Sequence, residues 1–185
     1  MGGYLAPRGA AFEHRLGGLL ADPGMDMSVM INEEIGPAVA KAIGDPGFKA
    51  TPESVAAFVR DNSGDFDEDM YEVMKGSIKM NWFMQHGMYA FGVKSPGELV
   101  LKLLECTLAG LTPKIECPTL ICDSEQDKQA FGAMTGDIYD DLTCEKQYIL
   151  FTNADGAGAH CQMGAMLFGH QVKYGWLDDT FRVRE

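Results

Sequence analysis

The sequence predicts an α/β protein, with about three parallel strands, flanking helices and a long helical insertion. Three observations carry this. Short β-branched or apolar runs at 16–22, 115–123 and 146–152 alternate with helical patterns. Between the first run and the second, residues 25–112 show helical periodicity with clear start and stop signals. The 185 residues are 46% hydrophobic, which suffices for one ordinary core. The expected organisation is therefore 1–24, a helix and strand; 25–112, an all-helical segment; and 113–185, a closing α/β part.

In order along the chain, Gly2 to about His14 places Tyr4, Leu5, Ala11 and Phe12 at helical spacing. LGGLLAD, closed by Pro23-Gly24, is too short for a normal helix and suits a buried strand. Thr51-Pro52 marks a helix start, with a capping hydroxyl followed by proline at the first helical position. Ser95-Pro96-Gly97-Glu98 is a second start, in which Ser and Glu can satisfy each other's backbone donors; that helix ends at Gly110. The acidic stretch DNSGDFDED lacks the ligand spacing of a calcium loop, so a solvated connection is expected there. After Pro113, IECPTLICD reads as a strand, DKQAFGAMTGDIYDDL as an amphipathic helix, KQYILFT as a strand and CQMGAMLFGHQVKYGWLDDTF as a closing helix. A parallel sheet of three strands leaves edges that normally lie against neighbours.

Charge narrows the function classes. Fifteen basic against 27 acidic residues give a net charge of −12, which argues against nucleic acid and against an anionic membrane surface. No apolar run approaches the roughly 20 residues needed to span a bilayer, and the first residues lack the features of a secretory signal, so a cytoplasmic location is expected. The five cysteines include no C-x-x-C pair and read as core thiols. No metal and no cofactor is expected. The expected partner is a small-molecule substrate, and open sheet edges are compatible with a homo-oligomer.

Chemistry concentrates after the last two strands, where open parallel sheets gather ligands and catalytic groups. DSEQD supplies Asp123 and Asp127; NADGAGAHCQMGA brings a flexible glycine approach to His160 just before a helix. An acid followed 33 residues later by a histidine matches the tail of the chain order Ser, Asp, His. The segments IECPTLICDSEQDKQAFGAMTGDIYDDL and YILFTNADGAGAHCQMGAMLFGHQVKYGWLDD resemble the C-terminal part of the α/β-hydrolase superfamily. The branch is that of dipeptidyl aminopeptidase/acylaminoacyl peptidase-like enzymes, with pigment heptaketide hydrolases, pseudooxynicotine hydrolase and FrsA-like esterases. A Gly-Ala-Gly-Glu-His-Cys-like motif carries the histidine in that branch, and this chain has Ala159 where Glu is common. MGGYLAPRGAAFEHR is similar to the helix that follows the nucleophile elbow Gly-x-Ser-x-Gly-Gly.

The resemblance implies the C-terminal half of an α/β-hydrolase fold with a helical cap over 25–112. The serine would immediately precede Met1, so the chain is expected to be inactive alone. His160 would be the general base and acid, Asp127 its orienting carboxylate, and Met1 an oxyanion-hole N–H donor. Gly2 and Gly3 would let the elbow helix pack close to the strand before it. Trp82, His86, Met88 and Tyr89 would line an apolar substrate pocket, with cap core as the alternative for each. The bond cleaved would be an ester, an amide or an activated C–C bond.

The residues leave alternatives open. Asp123 competes with Asp127 as the acid, Asp22 stands at a third strand end, and Asp127 could instead cap the helix that starts there. Cys161 beside His160 makes a poor dyad, because sequence neighbours at a turn seldom align. His14 and His170 look structural. The competing function is a non-catalytic α/β fragment that binds a small apolar molecule or a complementing polypeptide.

Overall fold

The computed structural model describes residues 1–45 and 47–182, the side chains of 130 and 131 excepted. They divide into two compact units: residues 1–26 with 108–182, and residues 27–107.

The first unit is built on three parallel strands in the order β1 (Leu19–Ala21), β2 (Thr119–Ser124), β3 (Lys146–Phe151). This is the α/β architecture expected from the alternation of the sequence. Helix α1 (Gly2–Ala10) precedes β1. It is shorter than the helical spacing suggested, because Ala11 and Phe12 close it in a turn. Gly3 is required by proximity: a Cβ there would lie 1.8 Å from the Pro23 carbonyl oxygen, while Gly2 has open space. The close approach is thus to the segment just after β1.

Every residue of β2 is buried. Leu120 and Cys122 on one of its faces pack with Phe151 and Ala157, and with Ile149, Val172 and Trp176 around them. Such two-sided burial is what a central parallel strand requires, and it raises the Cys122 thiol pKa to about 12. The helical run after β2 is not continuous. Gly132 adopts φ 65° and ψ −134°, a conformation that side chains disfavour, and splits it into α7 (Glu125–Phe131) and α8 (Met134–Asp141) in this unit. Lys146 donates from Nζ to the Tyr139, Asp140 and Leu142 carbonyls at 2.8, 3.1 and 2.9 Å, closing the end of the second helix where the dipole favours a cation. The closing helix (Met166–Arg182) begins later than expected, after a short 3-10 turn at His160–Gln162.

In the second unit five helices follow one another: Met27–Ile43, Pro52–Asp61, Ser63–Gly76, Ile78–Phe91 and Pro96–Leu104. With α1 and the three of the first unit's later part, they are numbered in chain order: α2 to α6 here, and α9 for Met166–Arg182. The acidic stretch is a correction to the sequence reading, since Asp61 ends α3 and Ser63–Asp69 form the first half of α4, with Asn62 alone between them. Phe66 and Met74 bury one side of that helix, and Asp67 accepts a 2.6 Å hydrogen bond from the Gly97 N–H at the start of α6. Both predicted starts are present: Thr51 caps α3 and Ser95 caps α6. Among the described residues no helix is long and apolar enough to cross a membrane.

Candidate active site

β2 and β3 run in register, with Ser124 opposite Phe151, so the start of α7 and the loop after β3 leave the sheet side by side. The two segments are tied together. The Gln126 N–H donates to the Gly158 carbonyl (3.0 Å), Gln126 Nε2 to Asn153 Oδ1 (3.0 Å), and the Asn153 N–H to Glu125 Oε2 (2.6 Å). Gly158 makes the closeness feasible, because a Cβ there would lie 2.4 Å from Asn153 Oδ1.

Across this junction His160 Nδ1 meets Asp127 Oδ2 at 2.9 Å. Asp127 is nearly buried, at 8% side-chain exposure, whereas the imidazole is 56% exposed. A buried carboxylate on Nδ1 favours the tautomer that leaves Nε2 as a proton acceptor. Ser124, not Asp127, occupies the N-cap position of α7, so Asp127 is released from capping to face the histidine.

The competing acids are engaged elsewhere. Asp123 Oδ2 accepts from the Tyr148 hydroxyl at 2.7 Å and its Oδ1 from the Ser124 N–H at 2.8 Å. Burial raises the Asp123 carboxyl pKa in spite of those two donors. Asp22, at the end of β1, pairs with Lys173 of α9: Nζ to Oδ2 is 2.6 Å. Gln162 completes a buried cluster with them, donating from Nε2 to Asp22 Oδ1 (3.0 Å) and accepting from Lys173 Nζ at Oε1 (2.8 Å). Sequence reasoning missed Gln126, Asn153, Gln162 and Lys173. Their only signal is position, each lying within a few residues of a strand end or on the helix behind the histidine.

Cys161 is exposed, and its thiol pKa is raised first by burial of the sulfur, then by Asp22 and Asp127. The α-amino group of Met1 acts in the opposite sense on the same thiol. His14 faces Glu116 at 3.3 Å, and His170 lies beside Tyr174. In the helical unit Trp82, His86, Met88 and Tyr89 all lie on α5. Met88 is buried in that unit, while Trp82 and Tyr89 are 66% and 86% exposed, and His86 stacks on Trp82 with ring centroids 5.4 Å apart. Among the described residues no group of three or more His, Cys, Asp or Glu side chains is placed to hold a metal ion.

No protein-family model matches the chain. Three curated fungal proteins are similar to it. Hydrolase LUC6 of a Fusarium species is 29% identical over 115 residues, covering 58% of this chain and 27% of that protein. The 20-hydroxy-prefusarin hydrolase FUS2 of Gibberella moniliformis is 27% identical over 114 residues, with the same coverage of 58% and 27%. Hydrolase acrC of Aspergillus aculeatus is 24% identical over 116 residues, covering 58% and 26%. The chain thus spans about a quarter of the length of the curated relatives it matches, each of which is named a hydrolase.

Proposed function

We propose that this chain carries the acid–base half of a serine-type α/β-hydrolase, with His160 as base and acid and Asp127 as its orienting carboxylate. One observation carries the proposal: a nearly buried carboxylate 2.9 Å from a half-exposed imidazole, the first in the opening turn of the helix that follows β2 and the second in the segment that follows the adjacent parallel strand β3. That is where such folds concentrate catalytic groups.

In the proposed reaction a serine Oγ attacks the carbonyl carbon of an ester, amide or activated ketone. His160 Nε2 takes its proton and returns it to the leaving group, while Asp127 stabilises the imidazolium that forms between the two steps. Water repeats the sequence on the acyl-enzyme. The serine is proposed to come from residues that precede Met1 in a longer protein. The short share of each relative that the chain matches supports this. In that protein the Met1 nitrogen would be a peptide N–H, suited to an oxyanion hole. The exposed Trp82, His86 and Tyr89 side chains, with Met88 behind them, are proposed to contact substrate.

The test begins with the coding sequence upstream of Met1, where an in-frame strand ending in Gly-x-Ser is expected. A chain extended through that serine should hydrolyse p-nitrophenyl esters and react with a fluorophosphonate. His160→Ala should lower kcat on the order of 10⁴-fold or more, and Asp127→Asn on the order of 10⁴-fold. Serine-type turnover by the 185-residue chain alone would overturn the proposal.

A second reading, a non-catalytic fragment that binds a small apolar ligand or a complementing polypeptide, is favoured by the exposed Met163, Met166 and Leu167 side chains near the start of α9. An in-frame stop just upstream of Met1, with retention of a hydrophobic dye by the folded chain, would select it.

A further inference from the structure

The backbone beside His160 is strained. Cys161 and Gln162 both have φ 53°, two consecutive non-glycine residues in the left-handed region. Such a conformation persists only where the surroundings over-determine it. The backbone supplies part of that constraint, since the Gln162 N–H donates to the Ala159 carbonyl (2.8 Å) and the Ala165 N–H to the Gln162 carbonyl (2.9 Å). The rest comes from one side chain. Gln162 is fully buried and its amide is bonded at both ends: Nε2 donates to Asp22 Oδ1 (3.0 Å) and, at 3.4 Å, to Ser124 Oγ, and Oε1 accepts from Lys173 Nζ (2.8 Å). Lys173 Nζ also donates to Asp22 Oδ2 at 2.6 Å, and both charged side chains are close to nine-tenths buried.

As a filler of space this is a poor choice, because apolar residues of the same volume avoid the desolvation of two charges. What an ion pair bridged by an amide does provide is orientation: each donor and acceptor is satisfied in only one arrangement. The cluster joins the ends of β1 and β2 to α9, and Gln162 lies two residues from His160. We infer that Gln162, Lys173 and Asp22 are positioning residues, which lock the left-handed turn at 161–162 and so aim the His160 imidazole at Asp127. The inference rests on the triad reading of His160 for its purpose, but its geometry can be tested separately.

The 185-residue chain, labelled with nitrogen-15 at histidine, should show a downfield Nδ1 proton resonance that Asp127→Asn removes. Lys173→Met should abolish it, and Lys173→Arg, which keeps the charge and the donors, should retain it. Gly169→Ala supplies an independent variant. A Cβ at 169 would lie 2.9 Å from Gln162 Oε1 and 3.1 Å from Gln162 Cβ and Cγ, so Gln162 must shift, while alanine favours the helix that carries it. Loss of the resonance in Gly169→Ala with the remaining amide spectrum unchanged is the expected result, and it decides the matter if Lys173→Met does not fold. In the unmodified chain the Gln162 side-chain amide should exchange far more slowly than that of exposed Gln171. A resonance that responds to Asp127→Asn but is unchanged in folded Lys173→Met and Gly169→Ala would overturn the positioning role alone. Exchange at Gln162 as fast as at Gln171 would also overturn it. Absence of any Asp127-dependent resonance in the unmodified chain would overturn the triad reading together with it.

Discussion

Cys161 shows how one residue reports on its neighbours. Burial, Asp22 and Asp127 raise its thiol pKa, while Lys173 and the Met1 amino group oppose them. A raised pKa means less thiolate at a given pH, and thiolate is the species that alkylates. Removing the negative charge of Asp127 removes one of the raising causes, so the pKa falls and more thiolate is present. Iodoacetamide labelling of Cys161 at pH 8 is therefore expected to be faster in Asp127→Asn than in the parent chain. An equal or slower rate would mean that the carboxylate does not act on this loop. His160 and Asp127 were readable from sequence because both follow strands and their chain order is distinctive. Gln162 and Lys173 were not. A glutamine and a lysine in a helical pattern look like a solvated face, and only the fold reveals that Asp22, 140 residues before Gln162, meets them in the interior.

At the scale of single elements, local signals were legible and their reciprocal halves were not. Ser95 accepts the Glu98 N–H at 3.3 Å as expected, but the Glu98 carboxylate bonds the Lys94 N–H, one residue before the position that a full capping box predicts. At Thr51 the reciprocal bond is made by Ser54, whose hydroxyl accepts the Thr51 N–H at 2.9 Å. Ser95→Ala should lower stability by about 1 kcal/mol. Urea denaturation, with unfolding followed by circular dichroism, checks this, and no change would mean that Glu98 alone closes the end. Asp61–Asp69 was misread for a related reason. Its charge density suggests solvent, yet Phe66 is the one apolar side chain it needs to bury, and Asp67 finds its partner 30 residues away at Gly97. The break at Gly132 escaped periodicity because the apolar spacing continues across it; a positive φ leaves no mark on a hydrophobicity pattern.

For the whole molecule, the alternation of strands and helices was enough to predict a parallel α/β sheet, because sequential βαβ units have few alternatives. The helical stretch occupies residues 27–107 as a compact unit of its own, where a helical segment over 25–112 was expected. Strand lengths were less legible. β1 pairs over only three residues, although seven had strand-like composition, because pairing depends on the neighbour as well as on the residues themselves.

The two ends of the first unit's interruption meet directly, since the Leu108 N–H donates to Asp26 Oδ2 at 2.7 Å. A chain that leaves and re-enters at one point imposes almost no length requirement on what lies between. The entropy of closing a loop there grows only with the logarithm of its size. Residues 27–107 are therefore exchangeable in principle, for a different helical array or for a few glycines and serines. A chain in which a short Gly-Ser link joins Asp26 to Leu108 is expected to fold and to keep the Asp127-dependent His160 resonance; loss of cooperative unfolding would show that the α/β part needs its insert. The same economy means that, on the proposed reading, a change of substrate contacts within that stretch would leave the pairing of His160 with Asp127 in place.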